Sequence, residues 1–273
     1  MPYKSLEPNS SPIGVFDSGV GGLTVVAALK KILPHEDILY FGDTARVPYG
    51  GKSPETIIRY SQEIVDLLLQ RGSKTIVVAC NTASALAVPT LKKFYKIPLH
   101  GVIEPGATAA VQATRSGKIG VIATKATVTS NAYQQAIHAL DQKLTIVSQP
   151  CPLLVPLIEE GWTENEITDA ILHRYLDPML SEGIDTLVLG CTHYPLLKKC
   201  ISTIVGPNIT LVDSAENCAL DIKSFLTEKK LQTKNSNRGN LRIILTDRSD
   251  GFLNIATEQL QLHTTSFETI SFY

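Results

Sequence analysis

Residues 75–82 read Thr75-Ile76-Val77-Val78-Ala79-Cys80-Asn81-Thr82, and residues 186–193 read Thr186-Leu187-Val188-Leu189-Gly190-Cys191-Thr192-His193. Each stretch is a short apolar run that ends in a small residue, then a cysteine, then polar side chains. Neither run alternates strictly, the pattern of a strand buried on both faces of a parallel sheet. A second pair keeps the same order, Gly14-Val15-Phe16-Asp17 and Gly120-Val121-Ile122-Ala123. Two echoes at nearly one spacing point to two related α/β halves.

Working outward, apolar runs at residues 13–16, 37–41, 75–79, 100–103, 119–123, 144–148, 186–190, 210–212 and 241–246 predict strands. Helical patterns fill the gaps. A helix is expected over residues 23–33. Ser53-Pro54 reads as an N-cap followed by proline at the first helical position, and Ile57, Tyr60, Ile64, Leu67 and Leu68 then form an apolar stripe that Gly72 can close. Thr163 and Glu166 form a capping-box pattern before Ile167, Ile171, Leu172 and Tyr175. Strands alternating with such helices predict an α/β fold: two similar three-layer domains with mainly parallel sheets and a site in the cleft between them. The expected domains are residues 1–104 plus 214–273, and residues 105–213. The tail, with a helix pattern, a polar linker at 234–240, a strand and another helix, is expected to fold back onto the first half.

Composition narrows the function. The chain has 273 residues, 44% of them hydrophobic, enough for a packed core. Its 25 basic and 26 acidic residues nearly cancel, so no nucleic-acid footprint is expected. The first dozen residues lack the apolar segment of an export signal, and the apolar runs are too short to span a bilayer. The expectation is a cytosolic protein without a membrane partner. Five cysteines, an odd number without a Cys-x-x-Cys pair, argue for reduced thiols.

Ligands of open α/β sheets bind beyond the carboxyl ends of strands, where Cys80 and Cys191 are placed. If the halves face each other, so do the thiols. A thiol ordinarily titrates near pH 8.5, so one can remove a proton from a carbon while the other returns one to the opposite face. That chemistry inverts a stereocentre. No pyridoxal-phosphate lysine signal, complete dinucleotide loop or metal-ligand cluster stands out, so neither cofactor nor metal is expected. Asp17-Ser18-Gly19-Val20-Gly21-Gly22, between a strand and a helix, could bring backbone amides to an anion. Asp17 could orient a substrate ammonium or adjust a thiol. Pro48-Tyr49-Gly50-Gly51 is a turn whose amides could bind a carboxylate. Glu159-Glu160 and His193 could tune Cys191. Cys151, Cys200, Cys218 and the histidines other than His193 receive no role.

Together these segments resemble the glutamate racemases of the aspartate/glutamate racemase family. The resemblance rests on residues 16–22, Gly42-Asp43 with Pro48-Tyr49-Gly50, residues 79–84, Glu104-Pro105, residues 159–161, residues 189–196 and Val212-Asp213-Ser214, in family order. It implies interconversion of L- and D-glutamate without metal or pyridoxal phosphate, supplying D-glutamate for peptidoglycan, in a homodimer of two-domain chains. It also implies that Cys80 acts on the D-isomer and Cys191 on the L-isomer, assisted by Asp17, Glu159 and His193. Substrate binding falls to Asp17, Ser18, Pro48, Tyr49, Gly50, Asn81, Thr82, Thr192 and His193. The alternatives are a racemase of aspartate or a hydantoin, a non-catalytic binding module for a small anionic metabolite, and a cysteine hydrolase with Cys191 as nucleophile and His193 as base.

Overall fold

The computed structural model describes residues 8–248, 252 and 255–272. Its strands are β1 (Ile13–Asp17), β2 (Ile38–Gly42), β3 (Thr75–Val78), β4 (Leu99–Gly101), β5 (Lys118–Ala123), β6 (Thr145–Pro150), β7 (Thr186–Gly190), β8 (Thr210–Asp213), β9 (Leu241–Leu245) and β10 (Ser266–Thr269). They form two parallel sheets, ordered β10-β9-β2-β1-β3-β4 and β6-β5-β7-β8. Stripped of β9 and β10, the first sheet repeats the order of the second: the second strand, the first, the third, the fourth. The echo between residues 75–82 and 186–193 is therefore an equivalence of position, because β3 and β7 occupy the same place.

Each sheet is covered on both faces. In β1, Val15 points to a core shared with α1 (Leu23–Ile32) and α11 (Ser214–Glu228). Its neighbour Phe16 points to the opposite core, with α2 (Pro54–Gln70), α3 (Asn81–Leu86) and α4 (Val88–Phe94). Successive residues of a strand face opposite sides, so a run without polar breaks feeds both layers. In the second sheet, Val121 packs against α5 (Ile103–Ala113) and α7 (Ala132–Leu140). Ile122 packs against α8 (Leu154–Glu159), α9 (Glu166–Ser181) and α10 (Lys198–Val205). A short helix, α6 (Lys125–Thr129), follows β5. Each fully buried aliphatic side chain in these layers contributes about 1.5–3 kcal/mol.

Local signals held where capping chemistry is simple. The Ser53 hydroxyl accepts from Thr56 N at 3.3 Å, Pro54 opens α2, and Gly72 adopts φ +80° just beyond it. The expected strand at 100–103 instead spans Leu99–Gly101, because Ile103 already begins α5. The cap of α9 is Asn165, whose Oδ1 accepts from Thr168 N at 2.9 Å; Thr163 lies outside the helix. The tail does return to the first sheet, where β9 pairs with β2. It ends in β10, where a helix had been the last expected element; a short helical turn covers Ile255–Gln259, and residues 249–251, 253 and 254 lie outside the described set. Among the described residues, no helix is long and apolar enough to cross a membrane.

Candidate active site

In both sheets the chain order reverses at one strand pair, β1 with β3 and β5 with β7. A crevice opens at the carboxyl end of such a pair. Here the two crevices face one another across a shared cleft of about 520 Å³. The first half contributes Ser18, Pro48, Tyr49, Gly50, Cys80, Asn81 and Thr82; the second contributes Glu159, Glu160, Cys191, Thr192 and His193. The sequence-derived site residues thus converge on one cavity, with one exception. Asp17 is fully buried and is not part of the cleft lining.

The glycine loop explains that position. Its backbone amides do hold an anion, but the anion is the Asp17 carboxylate itself. Gly19 N donates to Asp17 Oδ2 at 3.0 Å, the amides of Ser18 and Gly22 also point at the carboxylate, and the Thr192 hydroxyl donates to Oδ1 at 3.4 Å. Burial raises the Asp17 pKa, opposed by the positive charge of His193 and by these amides. Gly21 serves a second purpose, close approach. A Cβ at that position would lie 2.4 Å from both His193 Nδ1 and Thr192 Oγ1. The Thr24 hydroxyl bonds the same region, lying 2.8 Å from Gly21 O and 2.9 Å from Thr192 O.

The thiols sit in unlike surroundings. Cys80 is the N-cap of α3, where its sulfur accepts from Ala83 N at 3.5 Å and lies 3.7 Å from Ser18 Oγ. Burial and the neighbouring Asp17 charge outweigh those contacts and push its pKa up to about 12. Burial thus favours the protonated thiol at Cys80. Across the cleft, Cys191 Sγ lies 3.9 Å from His193 Nδ1, and His193 Nε2 lies 3.0 Å from Glu159 Oε1. Burial alone would lower the His193 pKa. The Cys191 sulfur, the Glu159 carboxylate and the Asp17 charge outweigh it and lift the imidazole above the usual histidine range. An imidazolium so placed can pair with a thiolate.

This arrangement fixes the sign of a pH effect. Removing the Glu159 charge lowers the His193 pKa, so the imidazolium is lost at lower pH. Glu159→Gln is expected to move the alkaline limb of kcat/KM to lower pH, by about one unit or less because Glu159 is 41% exposed and screened. A pH–rate profile of variant and parent checks this; an unmoved limb would remove His193 from the account.

The Pro48–Gly51 turn is held from behind. Asp43 Oδ2 accepts from the Tyr49 hydroxyl and from Arg46 Nε, and Asp43 Oδ1 from Thr246 Oγ1 at 3.1 Å. Arg46 lies 3.9 Å over the Tyr60 ring and also bonds Glu63. The network's links to Glu63 and Thr246 join distant segments and leave no local sequence signature. Thr124 and Cys151 also line the cleft and had received no role. The internal echo could have found Thr124, which follows β5 as Ser18 follows β1. Among the described residues, no cluster of three or more His, Cys, Asp or Glu side chains is arranged to hold a metal ion.

The family model for Asp/Glu/Hydantoin racemase matches residues 22–219. The chain belongs to this racemase family. A curated glutamate racemase from Geobacter metallireducens is 49% identical over 260 residues, covering 95% of this chain and 94% of that one. Among solved structures, a glutamate racemase isoform from Bacillus anthracis matches with a TM-score of 0.93 at 40% identity, covering 97% of this chain and 98% of that one. The glutamate racemase of Francisella tularensis, solved with D-glutamate, matches with a TM-score of 0.90 at 39% identity, covering 96% and 98%.

Proposed function

We propose that this chain is a glutamate racemase that passes the α-proton between Cys191 and Cys80, supplying D-glutamate for peptidoglycan. One observation carries the reading: two thiols at equivalent strand ends open on a single cleft, Cys80 beside Ser18 and Cys191 beside His193. With L-glutamate bound, the Cys191 thiolate takes the α-hydrogen as a proton, leaving its electron pair on the α-carbon. The Cys80 S–H bond then breaks and delivers its proton to the opposite face. D-glutamate departs from an enzyme with Cys191 as thiol and Cys80 as thiolate, and exchange with water or a turnover in reverse restores the first form.

The α-hydrogen is a weak acid, so the developing negative charge needs preorganised donors. Thr82 and Thr192 line the cleft for this purpose. Asp17 acts from behind the wall, on Cys80 and His193 through charge and on Thr192 through a hydrogen bond. The domain limits that suit this reading are residues 1–104 plus 214–273 and residues 105–213. A homodimer and a cytosolic location rest on the family resemblance.

The test is incubation of L-glutamate with the protein in D₂O, followed by optical rotation and α-deuterium. Loss of rotation with one α-deuterium per inversion is expected. Binding without exchange overturns racemisation, and hydrolysis of a glutamate ester or amide supplied in its place favours a cysteine hydrolase. L-aspartate belongs in the same assay, because one methylene changes discrimination by only about 1–3 kcal/mol; faster exchange on aspartate reassigns the substrate.

A further inference from the structure

The Glu104-Pro105 and Val212-Asp213-Ser214 motifs take no part in the mechanism, yet both lead to one side chain. Tyr133, on α7, is 3% exposed. A Cβ at Gly106, just after Glu104-Pro105, would lie 3.3 Å from its ring, and one at Gly190 would lie 3.1 Å from it. These two glycines therefore shape a slot that seats the Tyr133 ring. Ser214 is also a hydrogen-bond neighbour of its hydroxyl. Through this slot Tyr133 reaches out of the second half to a cleft residue of the first. Its hydroxyl donates to Asn81 Oδ1 at 2.7 Å.

That bond occupies one end of the Asn81 amide. The other end, Nδ2, is buried and has no hydrogen-bond partner among the described residues. Buried donors are rarely left unpaired, because an unmet one costs about 1–3 kcal/mol. Asn81 also lines the cleft. An amide can turn end for end, so an unanchored asparagine offers a ligand a donor or an acceptor indifferently. Only the donor end suits a carboxylate.

We propose that Tyr133 is a positioning residue that locks the Asn81 amide with Nδ2 as the donor offered to a substrate carboxylate. The carboxylate as ligand rests on the racemase reading above; the lock itself rests on geometry alone. Burial raises the Tyr133 pKa, so the hydroxyl keeps its proton through the working pH range.

A double-mutant cycle tests the lock. Tyr133→Phe keeps the ring in its slot and removes only the hydroxyl. It is expected to raise the KM for glutamate about tenfold, the size of one hydrogen bond, while kcat stays within about threefold. In an Asn81→Ala background the same change is expected to leave KM unaltered. A rise in KM of equal size in both backgrounds, or an effect confined to kcat, overturns the proposal. If Tyr133→Phe gives no folded protein, Asn81→Asp answers from the other partner: it keeps an acceptor for Tyr133 and loses the donor, so KM must rise, and an unchanged KM overturns the lock. D-glutamate binding by calorimetry gives a readout independent of turnover. A parent enzyme that fails to racemise glutamate defeats the functional reading instead, which the cycle leaves recognisable.

Discussion

Replacing either Cys80 or Cys191 with serine is expected to lower glutamate racemisation by about 10²–10⁴-fold, the usual contribution of one positioned acid or base. Serine fills the same space, but its hydroxyl is a far weaker acid than a thiol. Each variant still holds one working thiol, so the two losses differ in kind. With Cys80→Ser, Cys191 can still remove and return a proton on its own face, giving α-deuterated L-glutamate in D₂O without inversion. With Cys191→Ser, the same wash-in is expected on D-glutamate. Chiral separation with mass spectrometry distinguishes these products. Both variants retaining activity within about tenfold of the parent would sink the two-thiol mechanism.

Gly21→Ala is the second large effect, at a position outside the cleft lining. The added methyl would stand 2.4 Å from His193 Nδ1 and from Thr192 Oγ1, far inside contact distance. His193 cannot yield cheaply, since its ring is held by Glu159 at 3.0 Å and faces Cys191 at 3.9 Å. Thr192 carries the bond to Asp17. The two halves are therefore expected to separate locally and carry His193 away from Cys191. A displacement of about 1 Å in a catalytic group can cost about 10²-fold in rate, and that is the expected fall in kcat. Thermal unfolding measured alongside tells whether the loss is local. A Gly21→Ala variant with normal kcat would mean that the halves meet less tightly than described.

The sequence already carried the outline of this site because its working parts sit where strands end. Cys80, Cys191 and Ser18 follow apolar runs whose length and lack of alternation mark them as buried parallel strands. Other features needed the third dimension. The anion held by the glycine loop proved to be Asp17, since nothing in Asp17–Gly22 tells whether its amides turn outward or inward. Strand β10 escaped notice because Ser266–Thr269 is a half-exposed edge segment without an apolar run. Asn165 displaced Thr163 as a helix cap because both residues suit the role and only the turn geometry chooses. The links from Tyr133 to Asn81, and from Asp43 to Thr246, join residues far apart in the chain, and no local pattern encodes them.

The repeated strand order bears on thermodynamics as well as on ancestry. A protein of L-residues can have no mirror plane, so it cannot present enantiomers with reflected surroundings; a twofold rotation relating two similar units is the nearest operation available. The unlike partners of Cys80 and Cys191 give the two thiols inequivalent surroundings. Yet enantiomers have equal free energies in water, and the equilibrium constant between them is one. The ratio kcat/KM must then be the same for L and D at every pH, however differently the two sulfurs are surrounded. On the proposed mechanism, what Asp17, His193 and Glu159 can set is the division of that common ratio, and the enantiomer with the lower KM then also has the lower kcat.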